Sequence, residues 1–379
     1  MFANVRRRGR MAALIGVCAA AALTTIAASA GAATAQPQAR VPWAKVGSGW
    51  ELAQYTNGTP ASHEPTTLYL VGPSGARYPL YTWRASASFT PVLIAWSGDK
   101  TRALFYDGPG GQTAQLDLLT GTLSRFRLAG QAEPVGYTLP DGLNILGERV
   151  SGQTATLARY SLTGKLVKVL ATSKDYSVTG VYSADGTTLA VSGTTGIRLV
   201  SNAGGVIRQL PVPGTDPQMG CVPVRWWSAG TVLAQCFGKR YDTARLFLVP
   251  ASGARPTALT PQRTPSGRDL GDIDGWRLTS GLYLQSLGAC GTLELNKQNA
   301  NGSVTPVSVP GTLNLSTRIV TASGPRLLVD ALTGCGDSQS LLWFNPGTKA
   351  EQWLFKTPKN AFGVESVVAY DSRENAPAL

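Results

Sequence analysis

Residues 179–210, TGVYSADGTTLAVSGTTGIRLVSNAGGVIRQL, carry the cleanest copy of a unit that recurs along the chain. Apolar residues alternate around Val181, a tight turn follows at Ala184-Asp185-Gly186, and a second apolar run covers Leu189-Ala190-Val191. A third run spans Ile197 to Val200, Gly204-Gly205 makes the next turn, and Val206 to Leu210 forms a fourth run. Short alternating runs with such punctuation read as four antiparallel strands. One four-stranded meander cannot bury both of its faces. Copies arranged radially can, which predicts a β-propeller.

Working outward, an apolar strand followed by a glycine turn recurs at Leu68 to Val71 with Gly75, Leu116 to Leu118 with Gly121, and Tyr160 to Leu162 with Gly164. It recurs again at Leu246 to Val249 with Gly253, Leu293 to Leu295 with Gly302, and Leu341 to Phe344 with Gly347. A second series of turns keeps the same beat: Gly47-Ser48-Gly49, Ser97-Gly98-Asp99, Pro140-Asp141-Gly142, Ala184-Asp185-Gly186, Ser228-Ala229-Gly230, Ser280-Gly281 and Ser323-Gly324. The spacing of roughly forty to fifty residues is that of one blade. The fold class is therefore all-β, a single propeller of seven four-stranded blades, with six or eight left open. An open ring would leave two unpaired edges. Val364 to Tyr370 resembles a first strand with no second and would close the ring beside Trp50 to Ala53, in competition with Val41 to Ala44.

Composition agrees with this. The 379 residues are 43% hydrophobic and contain 43 Gly and 24 Pro, as many short strands and turns require. Arg6, Arg7, Arg8 and Arg10 precede an apolar stretch from Met11 to Ala28, and Ala33-Thr34-Ala35 forms an A-x-A site. This pattern reads as a secretory leader over residues 1–35, with residues 36–379 as the propeller domain of an exported, bacterial protein, secreted or associated with the cell wall. Cleavage would leave no transmembrane segment. It would also lower the formal charge from +12 to +8, since the leader holds four Arg and no acid. The basic balance suits an anionic envelope polymer or membrane surface, or else only a solvated face. Export disfavours nucleic acid.

At Trp96-Ser97-Gly98-Asp99 and Tyr182-Ser183-Ala184-Asp185-Gly186 the chain resembles the W-S-x-D-G turn of TolB-type, WD-like propeller repeats, with partial matches at Leu139 to Gly142 and Trp227 to Gly230. The resemblance implies a propeller fold and a scaffold that binds other molecules.

Beyond the leader stand Cys221, Cys236, Cys290 and Cys335. Cys221 and Cys236 flank the turn at Ser228-Ala229 and face each other in a hairpin. Cys290 and Cys335 occupy the same loop of adjacent blades. The expected disulfides are Cys221 to Cys236 and Cys290 to Cys335.

The sole histidine, His63, lies in a polar loop, and no G-x-S-x-G, G-x-x-x-x-G-K or H-E-x-x-H motif occurs. No cofactor and no metal site is expected, although Asp269 to Asp274 faintly resembles a calcium loop without its closing Glu. Asp99, Asp141 and Asp185 read as turn residues that bond their own backbone. Asp274 and Glu365 remain open to carboxylate chemistry. Trp226, Trp227 and Trp276 read as core between blades. One rim gathers Lys239, Arg240, Tyr241, Arg263 and Asp274 as the candidate binding surface. The expected function is non-catalytic binding of a protein, peptide or anionic envelope polymer. The alternative is a carbohydrate-active hydrolase or lyase that uses channel carboxylates.

Overall fold

The computed structural model describes residues 34–35, 41–58, 64–83, 91–108, 111–174, 177–193, 196–211, 213, 220–237, 244–263, 269–288, 291–314, 316–332, 338–358 and 361–370. Among them the regular structure is β throughout, apart from short 3-10 turns at Trp43–Lys45 and Ala129–Gln131. No helix among the described residues is long and apolar enough to cross a membrane.

In chain order the first strands are β1 (Thr34–Ala35), β2 (Glu51–Thr56), β3 (Thr66–Val71) and β4 (Arg77–Trp83). The next sheet is β5 (Val92–Trp96), β6 (Arg102–Asp107), β7 (Gln112–Asp117) and β8 (Leu123–Phe126), followed by β9 (Glu133–Tyr137), β10 (Asn144–Ser151), β11 (Thr154–Ser161) and β12 (Leu166–Ser173). The quoted stretch forms β13 (Gly180–Tyr182), β14 (Thr188–Gly193), β15 (Gly196–Ser201) and β16 (Val206–Gln209). Then come β17 (Gly220–Ser228), β18 (Thr231–Phe237), β19 (Arg245–Pro250) and β20 (Thr257–Ala258), and after them β21 (Asp272–Leu278), β22 (Gly281–Leu287), β23 (Leu293–Gln298) and β24 (Val304–Pro306). The last strands are β25 (Thr317–Ser323), β26 (Arg326–Leu332), β27 (Gln339–Phe344), β28 (Glu351–Phe355) and β29 (Gly363–Ala369).

From β5 to β24 the strands form five separate four-stranded antiparallel sheets, each a meander in sequence order. The remaining strands share a nine-stranded sheet. Within it β25 to β28 make one meander, while β29 pairs antiparallel along β2 from Thr56 to Glu51 and leads into β3 and β4. One parallel pairing, Gln339 with Gly363, joins the two halves. The C-terminal strand thus takes the place beside β2, and Val41 to Ala44, its competitor in sequence, runs into the turn at Trp43–Lys45 instead. At the far edge β1 pairs with β4, Thr34 opposite Thr82.

The expected turns form. Gly186 has a φ of +70°, and a Cβ there would collide with the carbonyl group of Leu139, so the Asp-Gly turn of this sheet fits against the preceding one only without a side chain. The core lies between sheets: Leu52, Leu68 and Leu70 pack with Leu93, Trp96 and Phe105, and Leu328 packs with Ala53 and Val71. This is the face-to-face burial that a single meander lacks, and each buried leucine contributes about 2 kcal/mol. Trp276 is buried in one such layer, while Trp226 and Trp227 are half-buried against others.

Candidate functional site

The turn carboxylates behave as local chemistry dictates. Asp99 accepts from Ser97 Oγ at 2.6 Å and from Thr101 N at 3.1 Å and pairs with Arg102 at 2.7 Å. Asp185 accepts from Ser183 Oγ at 2.6 Å and from Thr187 N at 3.0 Å. The Ser183 bond, then those of Thr187, hold the Asp185 carboxyl below its usual range. Asp141 accepts from Leu143 N. These three are committed to turns.

A polar position recurs where the second strand of a sheet meets the first strand of the next. Gln54 donates to Pro91 O at 2.6 Å and accepts from Leu93 N at 2.9 Å. Gln285 donates to Thr317 O at 2.6 Å and accepts from Ile319 N at 3.2 Å. Glu148 Oε1 accepts from Val178 N at 2.7 Å. The two glutamines clip the starts of β5 and β25, both edge strands of their meanders, and Glu148 holds the chain two residues before β13.

Asp330 stands at the same position in β26, two residues after Leu328 and therefore on the face that packs against Ala53 and Val71. It is buried, its Oδ2 lies 3.4 Å from Arg318, and its Oδ1 has no hydrogen-bond partner among the described residues. Burial pushes its carboxyl up to about 6, against the opposing pull of Arg318.

Two further carboxyls sit on first strands. Asp274 in β21 pairs with Arg225 Nε at 3.1 Å and accepts from Gly275 N at 2.6 Å, and Arg225 lies over the rings of Trp227 and Trp276. Burial raises the Asp274 carboxyl despite Arg225. Glu365 stands in a bulge of β29, where the register shifts between Gln54 and Tyr55. Its Oε1 accepts from Thr56 at 2.5 Å and Thr66 at 3.3 Å. Burial raises this carboxyl too, with the two threonine bonds drawing it back. Bulges re-aim side chains and are frequent beside active sites.

The acidic cluster is organised around an arginine. Arg263 bonds Asp269 at 2.8 and 3.1 Å and Asp272 at 2.6 and 2.8 Å, while Ser286 donates to Asp272 at 2.7 Å. Burial alone would lower the Arg263 guanidinium, but Asp272 and then Asp269 hold it well above its usual value. No group of three metal-binding side chains occurs among the described residues.

Of the residues expected on the rim, Asp274 is part-buried and paired with Arg225. Lys239, Arg240 and Tyr241 lie outside the described residues, as do His63, Cys290 and Cys335. Cys221 and Cys236 face each other in register and form a disulfide, with 4.1 Å between their Cα atoms.

No protein-family model matches the chain, and no curated protein matches it. Solved structures do. A prolyl endopeptidase superposes with a TM-score of 0.54 at 15% identity over 79% of this chain and 49% of its own length, so the chain spans about half of that enzyme. An acylaminoacyl peptidase from Pyrococcus horikoshii gives 0.51 at 11% identity, covering 81% of this chain and 51% of its own. The β-propeller domain of the Trilobed protease from Pyrococcus furiosus gives 0.50 at 11% identity, covering 82% and 93%. At these identities the likeness shows the fold, an all-β propeller. The expectation of a non-catalytic binding propeller is corrected at the same point, because it rested on such propellers serving as scaffolds, and the structures matched are hydrolases or a hydrolase's propeller domain.

Proposed function

We propose that this propeller is a hydrolase or lyase acting on carbohydrate, with Glu365 and Asp274 as its acid–base groups. The observation that carries this reading is the pair of raised, part-buried carboxyls on first strands, the strands nearest the axis of a propeller. A carboxyl raised above its ordinary range keeps its proton to higher pH than a free one and can donate it to a leaving oxygen, which is the task glycosidic cleavage sets. The hydrolases matched by fold favour a hydrolytic reaction. Carboxylate chemistry is preferred to a serine triad because these 379 residues hold one histidine and no nucleophile elbow.

The test is release of reducing ends or unsaturated sugars from a panel of polysaccharides. Turnover is expected, with Glu365→Gln and Asp274→Asn each lowering it at least about a hundredfold. An inert wild-type chain, or full activity in both variants, would overturn the reading.

We further infer export, with processing after Ala35. The disulfide Cys221–Cys236 supports an oxidising compartment. Cleavage there would release β1 from the edge of β4. N-terminal sequencing of secreted material should begin at Gln36.

A further inference from the structure

We propose that the outer strands β12 and β16 form a peripheral docking surface for an anionic lipid bilayer. Both are the last strands of consecutive sheets and so present an open edge. On β12, Leu166, Val167 and Val169 are exposed by 52%, 52% and 48%, and on β16, Val206 and Ile207 by 61% and 54%. Outer strands normally alternate one face in and one face out. Here every residue from Lys165 to Val169, and from Gly205 to Gln209, is exposed.

The two strands make one surface. Lys168 Nζ donates to Ala203 O at 2.6 Å, and a Cβ on Gly204 would lie 2.6 Å from Lys168 Cε, so the turn entering β16 rests on β12. Lys165, Lys168 and Arg208 are exposed among these aliphatic residues, and no carboxylate occurs from Arg149 to Lys174 or from Gly186 to Thr215.

Lysine on an edge strand is a common guard against pairing with another chain. That would account for Lys165 and Lys168 but not for the five exposed aliphatic side chains between and beside them. Cations with long stems around a shallow apolar patch instead suit the boundary of a bilayer, where the aliphatic groups enter the acyl region and the charges meet lipid phosphates. A second copy is disfavoured because it would bring like charges together. A soluble acidic protein is disfavoured because the patch offers no Trp or Tyr anchor. The adjoining cavity, lined by Arg149, Tyr160, Leu166 and Val169, is about 90 Å³ and too small for an ordinary organic ligand.

The experiment is co-sedimentation of the protein with phosphatidylcholine vesicles, with and without phosphatidylglycerol. Binding only to the anionic vesicles, weakened by salt, is expected. Combining Lys165→Gln, Lys168→Gln and Arg208→Gln should weaken it about a hundredfold, and combining Leu166→Ser, Val167→Ser and Ile207→Ser should weaken it at least about tenfold. All six positions are exposed, and unchanged thermal melting would show that the variants fold. Failure to bind anionic vesicles, equal binding to neutral ones, or indifference to both variants would overturn the proposal. So would binding that depends on the cations alone, which would point to a soluble acidic partner.

Discussion

At Asp330 a carboxyl stands where Gln54 and Gln285 place an amide, and the difference has consequences for pH. A protonated acid, like a glutamine side chain, both donates and accepts, whereas the carboxylate only accepts. Its folded value of about 6 exceeds the ordinary carboxyl value of 3.8, so the folded chain holds this proton more tightly than the unfolded one. The resulting stabilisation, about 3 kcal/mol, is fully present below the ordinary carboxyl pKa and is lost as pH rises through about 6. Asp330→Asn is expected to remove this dependence: equilibrium denaturation should find it more stable than wild type above pH 7. A variant that follows the wild-type pH curve would place the proton elsewhere. Residue-level chemistry was partly legible in the sequence. Asp99, Asp141 and Asp185 declared themselves by adjacent Gly and Ser, because their partners are within a few residues. Asp330 did not, because what buries it comes from strands that meet only when the sheets stack.

Among elements, the seams between sheets are held by side chains as well as by apolar packing. Gln285→Leu removes two bonds and leaves a buried carbonyl and a buried amide at the start of β25 without partners, at an expected cost of about 3 kcal/mol. Gln54→Leu should cost a similar amount, although Ser366 also reaches Leu93 N at 3.3 Å and retains part of the clip. A loss below about 0.5 kcal/mol in both would mean that apolar packing alone holds the seams. The hairpin β17–β18 is a separate case. Its disulfide closes a loop of sequence separation 15, and replacing both cysteines by serine should lower stability by about 3 kcal/mol under oxidising conditions. That bond could be read from the sequence because both cysteines flank one turn. The repeated clip could have been noticed as Gln or Glu two residues after an apolar second-strand position, in Leu52-Ala53-Gln54, Leu146-Gly147-Glu148 and Tyr283-Leu284-Gln285, with Leu328-Val329-Asp330 keeping the pattern without the bond. Its meaning required the neighbouring sheet.

For the whole molecule, the meander and its period were legible because they depend on local turn chemistry and alternation, and the closing strand because a spare apolar run implies an unpaired partner. The nine-stranded sheet joins the first and last strands of the chain, through β29 on β2 and the Gln339–Gly363 bridge. The proposed function was not legible in the same way, since it rests on which carboxyls the fold brings to its first strands. Glu365, a bulged residue with a raised carboxyl on the strand that closes the ring, is where architecture and proposed chemistry meet. The most direct measurement is therefore the pH–rate profile of polysaccharide cleavage for wild type and Glu365→Gln. Wild-type cleavage is expected to fall on the alkaline side as a carboxyl raised above its ordinary value loses its proton, and residual cleavage by Glu365→Gln is expected to lack that limb. Superimposable profiles of equal height would contradict a catalytic role for the axis carboxyls.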